Sequence, residues 1–249
     1  MSGKQAQQRA TGGIDTTGLA RALSKLGFCS RSQGWEIVKA GRVKVNGVVR
    51  RDPEWRVAWE RERLEVDGQP VRADKKTYLM LNKPRGLVTT AADEQSRPTV
   101  FACLADATLP KVMPVGRLDM ASEGLLLFTN DHDWANRVTA PASHVAKTYH
   151  VQVDCLPDEV LLQRLRSGVE ADGELLKVRE ARVLRQGEKN GWLELVLDEG
   201  KNRQIRRLLE ALGVNVLRLI RVAIGPLQLG PLAKGKWRLL TADEVKKIA

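Results

Sequence analysis

GRLDMASEGLLLFTND, Gly116 to Asp131, is the stretch on which the reading of this chain turns. It joins a short polar loop to the apolar run Leu125–Phe128. The loop carries a carboxylate, Asp119, with Arg117 two positions before it and Glu123 four positions after. A loop that exits into a buried strand holds a reactive group rigidly, because the strand fixes one of its ends. On spacing alone, an aspartate in a loop is just as readily a turn former or a solvated charge. The stretch therefore marks a candidate site and a strand.

Working outward, Tyr78–Leu81 is a short apolar run ended by the turn-rich, basic segment Asn82-Lys83-Pro84-Arg85-Gly86. Downstream, Thr148–Val153 and Trp192–Leu197 alternate as half-buried strands do. Gly200-Lys201-Asn202-Arg203-Gln204-Ile205-Arg206-Arg207 opens a helix with the apolar face Ile205, Leu208, Leu209 and Leu212, stopped by Gly213. Strands over Val214–Val222 and Trp237–Leu240 complete a mixed, mostly antiparallel α+β domain over residues 77–249. Within it, a tyrosine such as Tyr149 is ordinarily core filling, and arginines opposite a leucine face ordinarily meet solvent.

The amino-terminal part reads differently. Residues 1–17 are polar and without periodicity, as expected of a disordered tail. Leu19, Ala22, Leu23 and Leu26 then recur at helical spacing up to Gly27, and Ser30 with Gln33 forms the capping box of a second helix that runs to Gly41. Val43 and Val45 alternate with Arg42 and Lys44 before the tight turn Asn46-Gly47 and the strand Val48-Val49. A strand-like Leu64–Gly68 closes a small α/β module over residues 18–72, and Arg72–Lys76 reads as a charged linker.

Charge points to a partner. Lys and Arg total 41 against 30 acids, a net charge of +11. Between Gly18 and Arg51 stand Arg21, Lys25, Arg31, Lys39, Arg42, Lys44, Arg50 and Arg51 against the single acid Glu36. Such a cluster is the footprint of a nucleic-acid surface, where each neutralised phosphate releases counterions. No apolar stretch is long enough to span a bilayer and no secretory signal is evident, so a cytoplasmic location is expected; a monomer is expected as well. Cys29, Cys103 and Cys155 are odd in number and far apart, which argues against disulfides or a zinc site, and His132, His144 and His150 form no ligand pair. Gly230–Lys236, GPLAKGK, has phosphate-loop spacing, but Trp237 stands where that loop needs Ser or Thr. Asp119 and Glu123 could form a glycosidase pair, but the chain is only 4% aromatic, too little for sugar platforms.

The Gly116–Asp131 string closely resembles the catalytic motif of the RsuA/RluB family of ribosomal RNA pseudouridine synthases. The segment from Ser30 through Arg31, Gly41, Arg42, Val43, Val45, Asn46 and Gly47 resembles the S4 RNA-binding domain. It departs at Gly18-Leu19, where such domains usually carry Arg-Leu. The resemblance implies that Asp119 is the catalytic residue and that Tyr149, in Lys147-Thr148-Tyr149, packs on the target uracil. It also implies that Arg206, in the RQIRR string, pairs with Asp119. Candidate RNA contacts are Arg31, Arg42 and Lys44 in the module and Arg117, Lys147, Lys201 and Arg203 around the motifs. The implied reaction isomerises a uridine of ribosomal RNA without cofactor or metal. The substrate is ribosomal RNA or a ribosome-assembly intermediate, and the ending Leu217–Leu227 resembles the members that act on 23S RNA. A water-excluding pocket would be walled by the residues near Ile205 and by Leu217–Leu219. The rival reading is a non-catalytic S4-type RNA-binding or ribosome-assembly factor.

Overall fold

In the computed structural model, which describes residues 16–91 and 93–248, the chain divides after Lys75 into two units. The first contains β1 (Thr17–Gly18), α1 (Leu19–Lys25), α2 (Arg31–Lys39), β2 (Val43–Val45), β3 (Val48–Arg50), β4 (Arg56–Val57), β5 (Leu64–Val66) and β6 (Gln69–Pro70). α2 begins where the capping box puts it: Ser30 Oγ accepts from the Gln33 amide, and Gln33 Oε1 accepts from the Ser30 amide. Gly34 lets α1 and α2 close on one another, since a Cβ there would come within 2.9 Å of the Ala20 carbonyl oxygen. The antiparallel sheet runs β3-β2-β5-β6. Its β2–β3 hairpin turns at Asn46 and Gly47, with φ of 50° and 83°, the left-handed pair that a two-residue turn requires. Leu19, Leu23, Val38, Val43, Val57 and Leu64 are the centre of this unit's core.

Most of the stretch read as a disordered tail, residues 1–15, lies outside the described residues. Its last two positions correct that reading. Thr16 accepts hydrogen bonds from Arg56, and Thr17 is buried in β1, paired with Val57 of β4. A threonine beside an open strand edge finds backbone partners there, and pairing then outweighs the local polarity.

The second unit contains β7 (Tyr78–Lys83), β8 (Met113–Val115), β9 (Glu123–Thr129), α3 (His132–Thr139), β10 (Lys147–Val153) and α4 (Glu159–Ser167). It continues with β11 (Val169–Ala171), β12 (Glu174–Leu176), β13 (Glu180–Gln186), β14 (Gly191–Leu197) and α5 (Gln204–Glu210), then β15 (Val216–Ile224), β16 (Leu227–Gln228), β17 (Trp237–Leu239) and α6 (Ala242–Ile248). Its main sheet runs β13-β14-β10-β15-β9-β7-β17, with β16 on β15 and β8 on β9. Every pairing is antiparallel except β15 with β9, which is parallel and puts Ile220 opposite Glu123 and Arg221 opposite Gly124. Only glycine fits there: Gly124 has φ of 101°, and a Cβ would come within 2.2 Å of the Arg221 carbonyl oxygen.

β9 is buried along its whole length because both faces are covered. Leu125 and Leu127 pack with Trp134, Val138 and Ile248 of α3 and α6, while Leu126 and Phe128 pack with Val100 and Leu118. This double covering accounts for an unbroken apolar run where a one-sided strand would alternate. A third cluster joins Val151, Leu193 and Leu195 to α4 and α5. α3, α4 and α6 went unread in the sequence, although Asp131 and Asp158 cap the first two. Asp131 also takes the Tyr78 hydroxyl at 2.7 Å and Lys76 at 2.9 Å. Burial would raise its carboxyl, but these partners outweigh it and hold the group at about 2. Among the described residues no helix is long and apolar enough to cross a membrane.

The Gly230–Lys236 segment is a structural connection. Asn82 donates its amide to the Lys236 carbonyl, accepts from the Gly235 amide, and donates its side chain to the Leu232 carbonyl at 2.7 Å. The Lys234 ammonium lies 2.5 Å from Glu123.

Candidate active site

The loop that carries Asp119 leaves β8 through Gly116, in the left-handed region at φ of 73°, and enters β9 at Glu123. Its five successive carbonyls are all taken. The Thr89 hydroxyl donates to Leu118 O at 2.7 Å, and Gly86 N donates to Met120 O at 2.8 Å. Arg206 Nη2 donates to Ala121 O at 3.2 Å. The Lys83 ammonium donates to Asp119 O at 3.1 Å and Ser122 O at 2.8 Å, as well as to Pro84 O. Leu118 is buried in the core beneath, so backbone and core together fix the loop. The Asp119 side chain remains about one-third exposed. It borders a cavity of about 570 Å³ that is also lined by Thr89, Asp93, Arg97, Arg117, Met120 and Arg203.

Lys83 was read only as part of a basic turn, and its role is the chief omission of the sequence reading. It is fully buried, with carbonyl oxygens for its partners. Burial lowers its ammonium to about 8, against the pull of Asp119 and Glu123. Proline at position 84 is the one local signal that β7 ends at this lysine.

The arginines around Asp119 correct one expectation. Among the described residues, the ion pair to Asp119 comes from Arg203, whose Nη1 lies 3.8 Å from Oδ2, and not from Arg206. Arg203 stands in the left-handed region at φ of 48° as the residue that caps α5, so its side chain leaves the helical path. Arg206, half-buried, holds the Asp119 loop by its backbone, and its Nε is buried without a hydrogen-bond partner among the described residues. Burial lowers its pKa, Arg203 adds to that lowering, and Asp119 opposes it. The two arginines therefore share the carboxylate's neighbourhood, one facing the carboxyl and one bracing the loop.

Tyr149 is half-buried and packs against two cores at once, the α4–α5 cluster and the Leu118–Phe128 cluster. β10 shifts register against β15 between Thr148 and Tyr149. Such irregularities re-aim a side chain. Arg221, the partner of Tyr149 across the strands, is buried, with Nε donating to Leu125 O at 2.8 Å and Nη2 unpartnered among the described residues. Lys147 is half-buried, and burial followed by Arg221 lowers its pKa. Ile205 and Leu219, expected as pocket walls, are buried in the α4–α5 core, while Leu217 is exposed. They support the helix and strand behind the site, since the inward face of an amphipathic helix is used up by its own packing.

Glu123 is not a second reactive carboxylate. Arg218 grips it with two bonds at 2.7 and 3.0 Å, and Lys234 adds a third contact. Burial alone would raise it, but these cations hold it at about 2. Of the expected RNA contacts, Arg117 is exposed at the cavity. Lys201 donates to Leu175 O at 3.3 Å and lies 3.8 Å from Glu199. In the first unit Arg31 is exposed and Lys44 is half-buried, whereas Arg42 is committed to Asp67 through three hydrogen bonds.

A fixed carboxylate, about one-third exposed beside arginines, with a tyrosine wedged between two cores, suits chemistry on a flat base removed from its stack. The model for RNA pseudouridylate synthase matches residues 77–211, and that for the S4 domain matches residues 17–59. The chain belongs to the RNA pseudouridylate synthase family, whose members isomerise uridine to pseudouridine. An uncharacterized RNA pseudouridine synthase of Aquifex aeolicus is 39% identical, covering 91% of this chain and 91% of its own length. Ribosomal large subunit pseudouridine synthase B of Bacillus subtilis is 34% identical over 92% of this chain and 94% of its own. A crystal structure of a pseudouridylate synthase aligns with a TM-score of 0.66 at 28% identity, covering 94% of this chain and 100% of that one.

Proposed function

We propose that this enzyme acts on ribosomal RNA of the large subunit, with Asp119 as its catalytic carboxylate. The observation that carries the reading is the Asp119 loop, where five consecutive carbonyls are bound while the carboxylate is left facing a cavity. Pseudouridine formation breaks the bond from C1′ of the ribose to N1 of uracil, turns the base, and joins C1′ to C5. C5 loses a proton and N1 gains one, so the net change is an isomerisation. One carboxylate serves this chemistry, either by bonding to the sugar or by taking a proton from it. Tyr149 is the face against which the uracil stacks, and Arg203 and Arg206 keep the carboxylate oriented. The preference for large-subunit RNA rests on the Bacillus subtilis relative and on the Leu217–Leu227 segment.

The test uses purified protein, unmodified 23S and 16S transcripts, and chelator. One new pseudouridine in 23S RNA, absent with Asp119→Asn, is the expected result. Product confined to 16S RNA would overturn the choice of substrate, and full activity of Asp119→Asn would overturn the choice of residue.

A further inference from the structure

On α2, the close packing of Gly34 under Ala20 fixes the rotation of the helix: Gly34 and Val38 face inward. Flanking that inward face is a stripe of Arg31, Trp35 and Lys39, spaced four residues apart, and all three are exposed. The Trp35 indole is 37% exposed. The Lys39 ammonium lies 5.5 Å from the ring centroid. Among the described residues neither Arg31 nor Lys39 is ion-paired with a carboxylate, in contrast to Arg42 on Asp67 and Arg63 on Glu65. Arg51 reaches the end of the same helix, donating to Lys39 O at 3.3 Å, and so adds a third cation near the stripe.

We propose that the Arg31–Trp35–Lys39 stripe is a docking site for an unpaired segment of RNA, in which Trp35 stacks on a base while Arg31 and Lys39 hold phosphates on either side. This rests on the reading of the first unit as RNA-binding. About 12 Å of helix separates the two cations, with the aromatic ring midway. A cationic track interrupted by an aromatic ring is the usual platform for single strands, because every base has a face to stack and every nucleotide a phosphate. A duplex offers the phosphates but keeps its bases stacked on one another, so Trp35 discriminates between the two forms. Charge complementarity commits the stripe to a polyanion, since Glu36 is the only acid from Gly18 to Arg51.

The test measures binding of the full chain to a labelled single-stranded 12-mer RNA and to a hairpin of equal phosphate count. Trp35→Ala should weaken the single-strand complex roughly 5- to 150-fold and the hairpin complex less than about twofold, and Trp35→Phe should restore most of the loss. Arg31→Ala with Lys39→Ala should lower the salt slope by about 1.4 on the single strand. Unchanged melting temperatures would confirm that the exposed side chains are not structural. Equal losses on both RNAs, or no loss with Trp35→Ala, would overturn the proposal. A control variant neutralising Arg21, Lys44 and Arg50 separates the two readings. If that variant loses RNA while the stripe variants keep it, the stripe fails and the unit still binds RNA by another face. If no variant matters, the RNA-binding reading of the unit fails as well.

Discussion

In the amino-terminal unit the ion pairs stand in water: Arg42 and Asp67 are each about half exposed, and Arg63 is 71% exposed beside Glu65. In the catalytic unit Glu123 is 4% exposed between Arg218 and Lys234, and Lys83 is buried with carbonyls around it. The loops differ in the same way. Asn46-Gly47 needs only its own left-handed backbone to turn, whereas the Asp119 loop needs donors from Lys83, Gly86, Thr89 and Arg206. A surface that meets a large polyanion is served by charges left free in water, while a site that must hold one carboxylate still is served by charges that have already given up their water.

The harshest test of this contrast is Asp119→Asn. Single-turnover pseudouridine formation should fall by roughly 10²- to 10⁴-fold. RNA affinity should change little, because phosphate contacts supply it. A comparable loss of affinity would mean that the two units do not divide the work in this way.

Glu123→Gln should destabilise the catalytic unit by about 1.5–3 kcal/mol in urea titrations, since it weakens the charge-assisted bonds that Arg218 and Lys234 make to this buried group. The native carboxyl is held at about 2, below its ordinary 4.5. Its stabilising contribution is therefore complete above pH 4.5 and lost as pH falls towards 2, and the variant should lack that acid limb.

Lys83→Met should leave the loop carbonyls short of donors and lower turnover by roughly 10- to 100-fold, the range expected of an ångström-scale misplacement. In the native enzyme, activity should decline as pH rises through about 8, where the buried ammonium loses its proton. The sign for stability is opposite. With a folded value of about 8 against an ordinary 10.5, the unfolded chain binds more protons in that window, so the contribution of Lys83 to stability grows with pH. Activity lost without loss of stability between pH 8 and 10 would identify the clamp.

Asp67→Asn, in the water-exposed pair, should leave the urea unfolding midpoint nearly unchanged. It also frees Arg42, so RNA binding should tighten slightly and the salt slope should steepen by roughly 0.7–0.9. A large loss of stability would put this pair in the same class as Glu123.

What could be read from the sequence follows the same division. The capping box at Ser30, the turn at Asn46-Gly47, β9 and the Gly213 stop are signals carried by neighbours in the chain, and each appears where it was read. The mixed, mostly antiparallel sheet followed from those strands, but its one parallel joint at Gly124 did not, because no periodicity marks where two distant strands touch. Asp119 was legible as a candidate through its motif. The exchange of roles between Arg203 and Arg206 was not, since it depends on Arg203 leaving the helical path at its first residue. Lys83 was hidden for a related reason: a lysine in a turn normally points to water, and only the folded loop supplies the carbonyls that draw it inward.

The joint between β9 and β15 also sets a timetable. It brings Ile220 to Glu123, and the donor to Ala121 comes from Arg206, 85 residues later in the chain. Contacts so far apart form slowly, and during synthesis they must wait for the later segment to emerge. The first unit closes its hairpins within residues 17–70. A nascent chain halted short of Arg203 should therefore carry a finished amino-terminal unit and an Asp119 that is still chemically silent, so that RNA is engaged before it can be altered.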